Sequence, residues 1–138
     1  HSLGSVIAYD TLWDLSRERA DCARVDLFLT MGSPLATRFI QRKIAGARER
    51  GEKRYPTNIR RWLNFTARGD TTALRPRLAP YFAEMLDLKL VESIEDMVGF
   101  DNYFRGNAGL NEHDAYGYLS QSTVGEAVGS WLEKNAGL

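Results

Sequence analysis

Three residues of this chain, Ser2, Asp70 and His113, are of the types that together perform nucleophilic acyl chemistry. A serine hydroxyl is a weak nucleophile at neutral pH and needs a base within hydrogen-bond reach, most often a histidine. The base in turn needs a carboxylate that fixes its tautomer and stabilises its cation. The chain has two histidines, and because His1 adjoins the serine, His113 is the candidate base. This chemistry proceeds through an acyl-enzyme and requires neither a metal nor an organic cofactor.

The stretch "HSLGSVIAYD" places the candidate nucleophile at the start of a predicted helix. Ser2, Leu3 and Gly4 supply the S-x-G part of the motif G-x-S-x-G, whose small residues permit a sharp turn from a strand into a helix. The first glycine of that motif would precede His1, so we expect the chain to begin inside the motif. Two simpler interpretations compete: Ser2 as an ordinary helix N-cap, or His1 and Ser2 as remnants of a cloning vector.

Hydrophobic periodicity predicts helices alternating with short buried strands. The predicted helices span residues 2–19, 36–50 and 76–88, with a last helix that starts at a capping box of Thr123 and Glu126. The predicted strands span 25–31 and 62–67, with one or two more within 90–105. This alternation is typical of an α/β protein, which predicts one domain over residues 1–138 with three α/β/α layers around a mainly parallel sheet. Three strands make a thin sheet, so we expect that part of the sheet lies outside this sequence.

Asp70 follows the strand "WLNFTA", and His113 lies in a Gly/Asn-rich loop after the last candidate strand. Sites of parallel sheets gather at the carboxyl ends of their strands. The chain order is therefore nucleophile, acid, base, the order found in one large fold family.

With these motifs the chain resembles the C-terminal half of an α/β-hydrolase of the lipase and esterase kind. "HSLGS" is similar to the nucleophile elbow of that family, "VDLFLTMGSPLA" to the strand that follows it, and "NEHDAYGYL" to its histidine loop. The resemblance implies Ser2 as nucleophile, Asp70 as orienting acid, His113 as base and the Leu3 backbone N–H as one oxyanion donor. It also implies cleavage of a small-molecule or lipid ester, with the second oxyanion donor on a loop upstream of this sequence.

Other residues compete for these roles on weaker grounds. Asp96, Asp101 and Glu112 are less favoured acids, and Asp114 is too close in sequence to orient His113 easily. Ser33 in the Gly-Ser-Pro turn is expected to be a turn residue, and Cys22 an inert small residue. Two separated histidines and one cysteine argue against a zinc site.

The charges balance overall, with 18 basic and 18 acidic residues, which gives no reason to expect nucleic-acid binding. The segment 38–61 nevertheless holds nine basic residues and two acidic ones. A solvated basic face is one interpretation, and peripheral contact with an anionic lipid surface is another. The single cysteine and the lack of a long apolar run lead us to expect a cytoplasmic protein.

Two other functions fit the same residues. One is a non-catalytic hydrolase-like domain used for binding or scaffolding, and the other is a thioesterase or acyltransferase. The segment 36–55 is either part of a cap over a substrate pocket, with Phe39 and Ile40 facing an acyl chain, or an ordinary crossover helix.

Overall fold

A parallel sheet of three strands forms the centre of the molecule. The computed structural model describes residues 1–18 and 23–137. Strands β1 (Val25–Met31), β2 (Ile59–Ala67) and β3 (Ser93–Phe100) lie in that order and are parallel throughout. The α/β class and the parallel sheet are thus confirmed.

Five α-helices and a small ribbon surround the sheet in the described part of the chain. The ribbon pairs β4 (Arg105–Gly106) with β5 (Gly109–Leu110) in antiparallel fashion. The helices are α1 (Leu3–Glu18), α2 (Arg38–Gln41), α3 (Ala83–Asp87), α4 (Ala115–Leu119) and α5 (Ser122–Asn135). The last residue predicted for the first helix, Arg19, and the candidate small residue Cys22 lie outside the described residues.

The predicted helix over 36–50 is wrong, because α2 covers four residues only and turns follow it. Gly46 shows why the chain must turn here. Its φ is +76°, and a Cβ at this position would lie 2.2 Å from the carbonyl oxygen of Arg54. The close approach of two backbone segments needs glycine at this point and breaks the helical path that the apolar spacing suggested.

The predicted helix over 76–88 is also wrong in extent. A 3₁₀ turn over Ala79–Tyr81 precedes the short helix α3. The carboxylate of Asp96, on β3, accepts hydrogen bonds from the backbone N–H groups of Leu78 and Ala79, at 2.8 and 3.0 Å. This long-range cap holds the segment as a tight turn against the sheet.

The predicted capping box at Thr123 is not formed. Helix α5 begins at Ser122 with Gln121 as its N-cap residue, and no side chain caps it. Thr123 therefore lies inside the first turn, where its buried hydroxyl has no hydrogen-bond partner among the residues that the structure describes.

Apolar side chains cover both faces of the sheet. Phe28, Trp62 and Ile94 stand in register. They pack with three almost fully buried residues: Tyr9 of α1, Met85 of α3 and Phe82, the N-cap residue of α3. The alternate strand positions face a second cluster, in which Phe65 and Ala67 pack with Tyr118 of α4 and Val124 of α5. Strand alternation thus divides the core between the two faces. No helix in the described ranges combines the length and apolar character needed to cross a membrane.

Candidate active site

Ser2 lies at a tight turn immediately before α1. Its φ is +54°, a left-handed conformation that is uncommon for any residue other than glycine. Two backbone hydrogen bonds hold it there: its N–H donates to the carbonyl of Met31 at the end of β1, at 3.0 Å, and its own carbonyl accepts from the Ser5 N–H at 3.0 Å. The side chain of Ser5 also donates to that carbonyl, at 2.5 Å. Backbone strain held by surrounding contacts is common at functional sites.

The structure brings Ser2, His113 and Asp70 into one hydrogen-bonded chain. The Oγ of Ser2 lies 2.8 Å from Nε2 of His113, and Nδ1 of His113 lies 2.9 Å from Oδ2 and 3.0 Å from Oδ1 of Asp70. All three residues stand at the rim where β1 and β2 end. Because an ionised carboxylate can only accept, Nδ1 carries the ring proton and Nε2 is free to accept the serine proton.

The carboxylate of Asp70 is fully buried and well supplied with donors. The N–H groups of Thr72 and Ala73, in its own loop, donate to Oδ1 at 2.9 and 3.3 Å. The hydroxyl of Tyr118 donates to Oδ2 at 2.6 Å. A buried carboxylate needs such donors to remain ionised, which is the form that can stabilise an imidazolium.

The loop that carries His113 is held by a buried side chain. Asn102 is 1% exposed, and its Nδ2 donates to the carbonyls of Glu112 and Asp114, each at 3.0 Å. These hydrogen bonds fix the loop on both sides of the histidine. His1 adds a third contact, since its Nε2–H donates to the His113 carbonyl at 2.7 Å and the two rings lie 4.6 Å apart. The imidazole is therefore positioned by its main chain as well as by its ring nitrogens.

Gly32, directly after β1, leaves room for the acid and base. Its φ is +55°, and a Cβ here would lie 2.7 Å from Oδ2 of Asp70 and 3.0 Å from Nδ1 of His113. The side chain of any larger residue would collide with the carboxylate and the imidazole and disrupt the hydrogen bond that joins them.

Leu3 occupies the position expected of an oxyanion donor. As the first residue of α1, its N–H has no acceptor within the helix. It also lies at the positive end of a helix of 16 residues and follows Ser2 directly in the sequence.

The competing residues have other contacts. Asp96 caps the turn at Leu78, and Asp101 pairs with Arg68 at 3.1 Å. Asp114 accepts from the Tyr116 N–H at 2.9 Å as the N-cap of α4. Ser33, 1% exposed, accepts from the Leu35 N–H and lies 2.6 Å from the Ser5 hydroxyl, so it supports the turn beneath the candidate nucleophile.

The residues that support Ser2, Asp70 and His113 were not predicted from the sequence. Tyr118 and Gly32 lie against the Asp70–His113 pair, and Asn102 holds the loop on both sides of His113. No role was predicted for any of the three. The Gly-Ser-Pro turn after β1 was the nearest signal, because a glycine at a strand end often marks a close approach.

An open cavity of about 460 Å³ lies beside the loop after β2 that carries Asp70 (the acid loop). It is lined by Asp70, Leu74, Pro76 and Val98 among others, and neither Ser2 nor His113 lines it. We therefore do not place the reacting group of a substrate in it.

No family model, curated protein or solved structure matches the chain. The geometry of the site is therefore the basis on which a function can be proposed.

Proposed function

We propose that the protein is a serine hydrolase that cleaves carboxylic esters through Ser2, His113 and Asp70. The observation that carries the proposal is the continuous chain of hydrogen bonds from the buried carboxylate through the imidazole to the hydroxyl of a serine in a strained turn. The order of the three residues and the parallel sheet also support an α/β-hydrolase fold.

In the proposed reaction the hydroxyl oxygen of Ser2 attacks the ester carbonyl while Nε2 of His113 takes its proton. The imidazolium that forms is stabilised by the Asp70 carboxylate. It then gives the proton to the leaving alcohol, and the acyl group stays on Ser2. Water, deprotonated by the same imidazole, releases the acid and regenerates the serine.

The negative oxygen that develops during attack lies next to the start of α1. The Leu3 N–H is the donor that this chain offers to it, and the aligned peptides of α1 add to the favourable potential. Because this donor is preorganised, it stabilises the charge without a rearrangement during the reaction.

Labelling with a fluorophosphonate probe tests the proposal. Such a probe reacts with activated serines, so we expect labelling at Ser2 in the wild type and none in Ser2→Ala. The matched control is Ser130→Ala, which removes an exposed serine of α5 and should leave labelling unchanged. A folded wild type that is not labelled would favour a non-catalytic binding or scaffold domain instead. Product analysis with water and alcohol acceptors would distinguish hydrolysis from acyl transfer, and thioester substrates would reveal a thioesterase.

An exposed cluster on and after α2 supports lipid esters as substrates. Phe39 is 66% exposed, and the ammonium of Lys43 lies over its ring at 5.0 Å. Arg38 and Arg42 are exposed beside them, and neither makes an ion pair within the described ranges. An exposed aromatic side chain among cations suits the interface of an anionic membrane. Ile40, by contrast, packs against the core and does not face a substrate.

A further inference from the structure

We propose that Tyr118 is a positioning residue for the Asp70–His113 pair, with its hydroxyl setting the orientation and the available negative charge of the carboxylate. The structural part of this inference stands on the contacts of Tyr118 alone. Its catalytic consequence rests on the proposed ester hydrolysis.

The direction of the Tyr118 hydroxyl proton is determined by its two partners. The N–H of Ala67, at the end of β2, donates to the hydroxyl oxygen at 2.9 Å. The hydroxyl must therefore use its only proton on its second partner, Oδ2 of Asp70, at 2.6 Å. One oxygen atom thus joins the end of a central strand to the acid.

The ring of Tyr118 is held too firmly for this contact to be incidental. Its exposed fraction is 0%, and it belongs to the cluster of Phe65, Ala67 and Val124. The ring of Phe100 meets it edge-on, with centroids 5.7 Å apart and an interplanar angle of 87°. A ring fixed in this way holds its hydroxyl in place without further loss of side-chain entropy.

Four donors surround the carboxylate of Asp70. The N–H groups of Thr72 and Ala73 donate to Oδ1, the hydroxyl of Tyr118 donates to Oδ2, and Nδ1 of His113 lies against both oxygens, at 3.0 Å from Oδ1 and 2.9 Å from Oδ2. The hydrogen bond from Tyr118 therefore reduces the negative charge that Oδ2, the nearer of the two oxygens, presents to the imidazole. Since Tyr118 follows the histidine loop on α4, it also ties that loop to the acid loop.

The hydroxyl remains a donor over the whole range in which a histidine base operates. Burial, together with the hydrogen bond to Asp70, raises the pKa of Tyr118 well above its ordinary value. The neutral phenol thus persists at every pH at which the imidazole changes its charge.

Tyr118→Phe tests this role, with Tyr116→Phe on the same helix as the matched control because Tyr116 is 72% exposed. Without the hydrogen bond from the hydroxyl, Oδ2 of Asp70 presents more negative charge to the imidazole. This favours the protonated form of His113. We expect the NMR titration midpoint of His113 to move to higher pH by about 0.5–1 unit, with the acid limb of the pH–kcat/KM profile moving alongside it. Because the carboxylate also loses a contact that orients it, we expect kcat to fall roughly tenfold. Tyr116→Phe should change neither the titration midpoint nor kcat.

A folded Tyr118→Phe protein with an unchanged His113 titration would overturn the proposal. If that variant does not fold, site-specific 3-fluorotyrosine at position 118 replaces it. The more acidic phenol is a stronger donor, so the midpoint should then move to lower pH, and an unshifted midpoint would again overturn the proposal. The His113 titration is measured without substrate. It can therefore support the positioning role of Tyr118 even if the fluorophosphonate probe does not label Ser2, so the positioning role and the proposed ester hydrolysis can be judged separately.

Discussion

The Oγ of Ser2 lies 2.8 Å from Nε2 of His113, although 111 positions separate the two residues in the sequence. The contact joins the turn before α1 to the loop before α4, and the carboxylate of Asp70 lies on the other side of the imidazole. Each group is held by neighbours from a different part of the chain. Changes to those neighbours should therefore alter activity in ways that can be measured.

Replacing Asp70 by asparagine should lower kcat by roughly 10⁴-fold, because an amide at this position favours the wrong imidazole tautomer. The measurement is ester hydrolysis under saturating substrate. Asp101→Asn serves as the control, since that carboxylate pairs with Arg68 at the surface and should leave kcat unchanged. Equal activity of Asp70→Asn and the wild type would contradict the assignment of the acid.

Gly32→Ala should disrupt the acid–base contact directly, since the added Cβ would lie 2.7 Å from Oδ2 of Asp70. We expect kcat/KM to fall by about 10²-fold or more, as misplacement by about 1 Å can cost that much. Gly99→Ala is a matched control: φ at Gly99 is +82°, but no atom lies within 4 Å of the added Cβ. Both variants share the backbone penalty of about 1 kcal/mol, so a loss of activity as large in Gly99→Ala would refute the steric explanation.

Gly117→Ala should destabilise the protein and loosen the histidine loop. The added Cβ would lie 1.6 Å from Oδ1 of Asn102, which must then release the carbonyls of Glu112 and Asp114. We expect a loss of roughly 1–3 kcal/mol in the free energy of unfolding, measured in urea, together with lower kcat. Gly125→Ala, in α5 with open space around the added Cβ, should instead stabilise by up to about 1 kcal/mol. Similar effects of the two substitutions would show that the Asn102 contact is unimportant.

Stability should fall in alkali because of three buried tyrosines. Burial raises the pKa of Tyr9, Tyr55 and Tyr118 in the folded protein, so above pH ~10 the unfolded chain releases protons that the folded protein retains. The free energy of unfolding should thus decline by about 1.4 kcal/mol per pH unit for each tyrosine, and the contribution is complete below pH ~10. Urea unfolding at pH 9–11 should show a shallower decline for Tyr118→Phe than for the wild type, and identical slopes would contradict this prediction.

Binding to vesicles that contain phosphatidylserine tests the basic cluster after α2. Each exposed cation near such a surface contributes about 1 kcal/mol, so Arg42→Gln combined with Lys43→Gln should weaken co-sedimentation by roughly 30-fold. Arg60→Gln is the control, because that guanidinium already pairs with Glu92 at 2.9 Å. Absence of wild-type binding at low salt would rule out the lipid surface.

The three residues of the candidate site could be identified from the sequence. A serine in a S-x-G stretch before an amphipathic helix, an aspartate after an apolar strand and a single suitable histidine are local signals. The nearly continuous apolar run of β1 likewise predicted a strand covered on both faces, as in a parallel sheet.

The supporting residues and the short helices depended on tertiary contacts. The chain turns at Gly46 because the backbone at Arg54 passes close to this glycine. Asp96 shapes the turn before α3, although it lies on β3, which comes later in the sequence. The hydroxyl of Tyr118 reaches Asp70 across 48 positions. Hydrophobic periodicity indicates which side of a segment is apolar. Hydrogen bonds between distant segments depend instead on where the folded chain places those segments. The residue types available for acyl chemistry can thus be read from the sequence, whereas their meeting at one site, and the contacts that hold them there, arise from the fold.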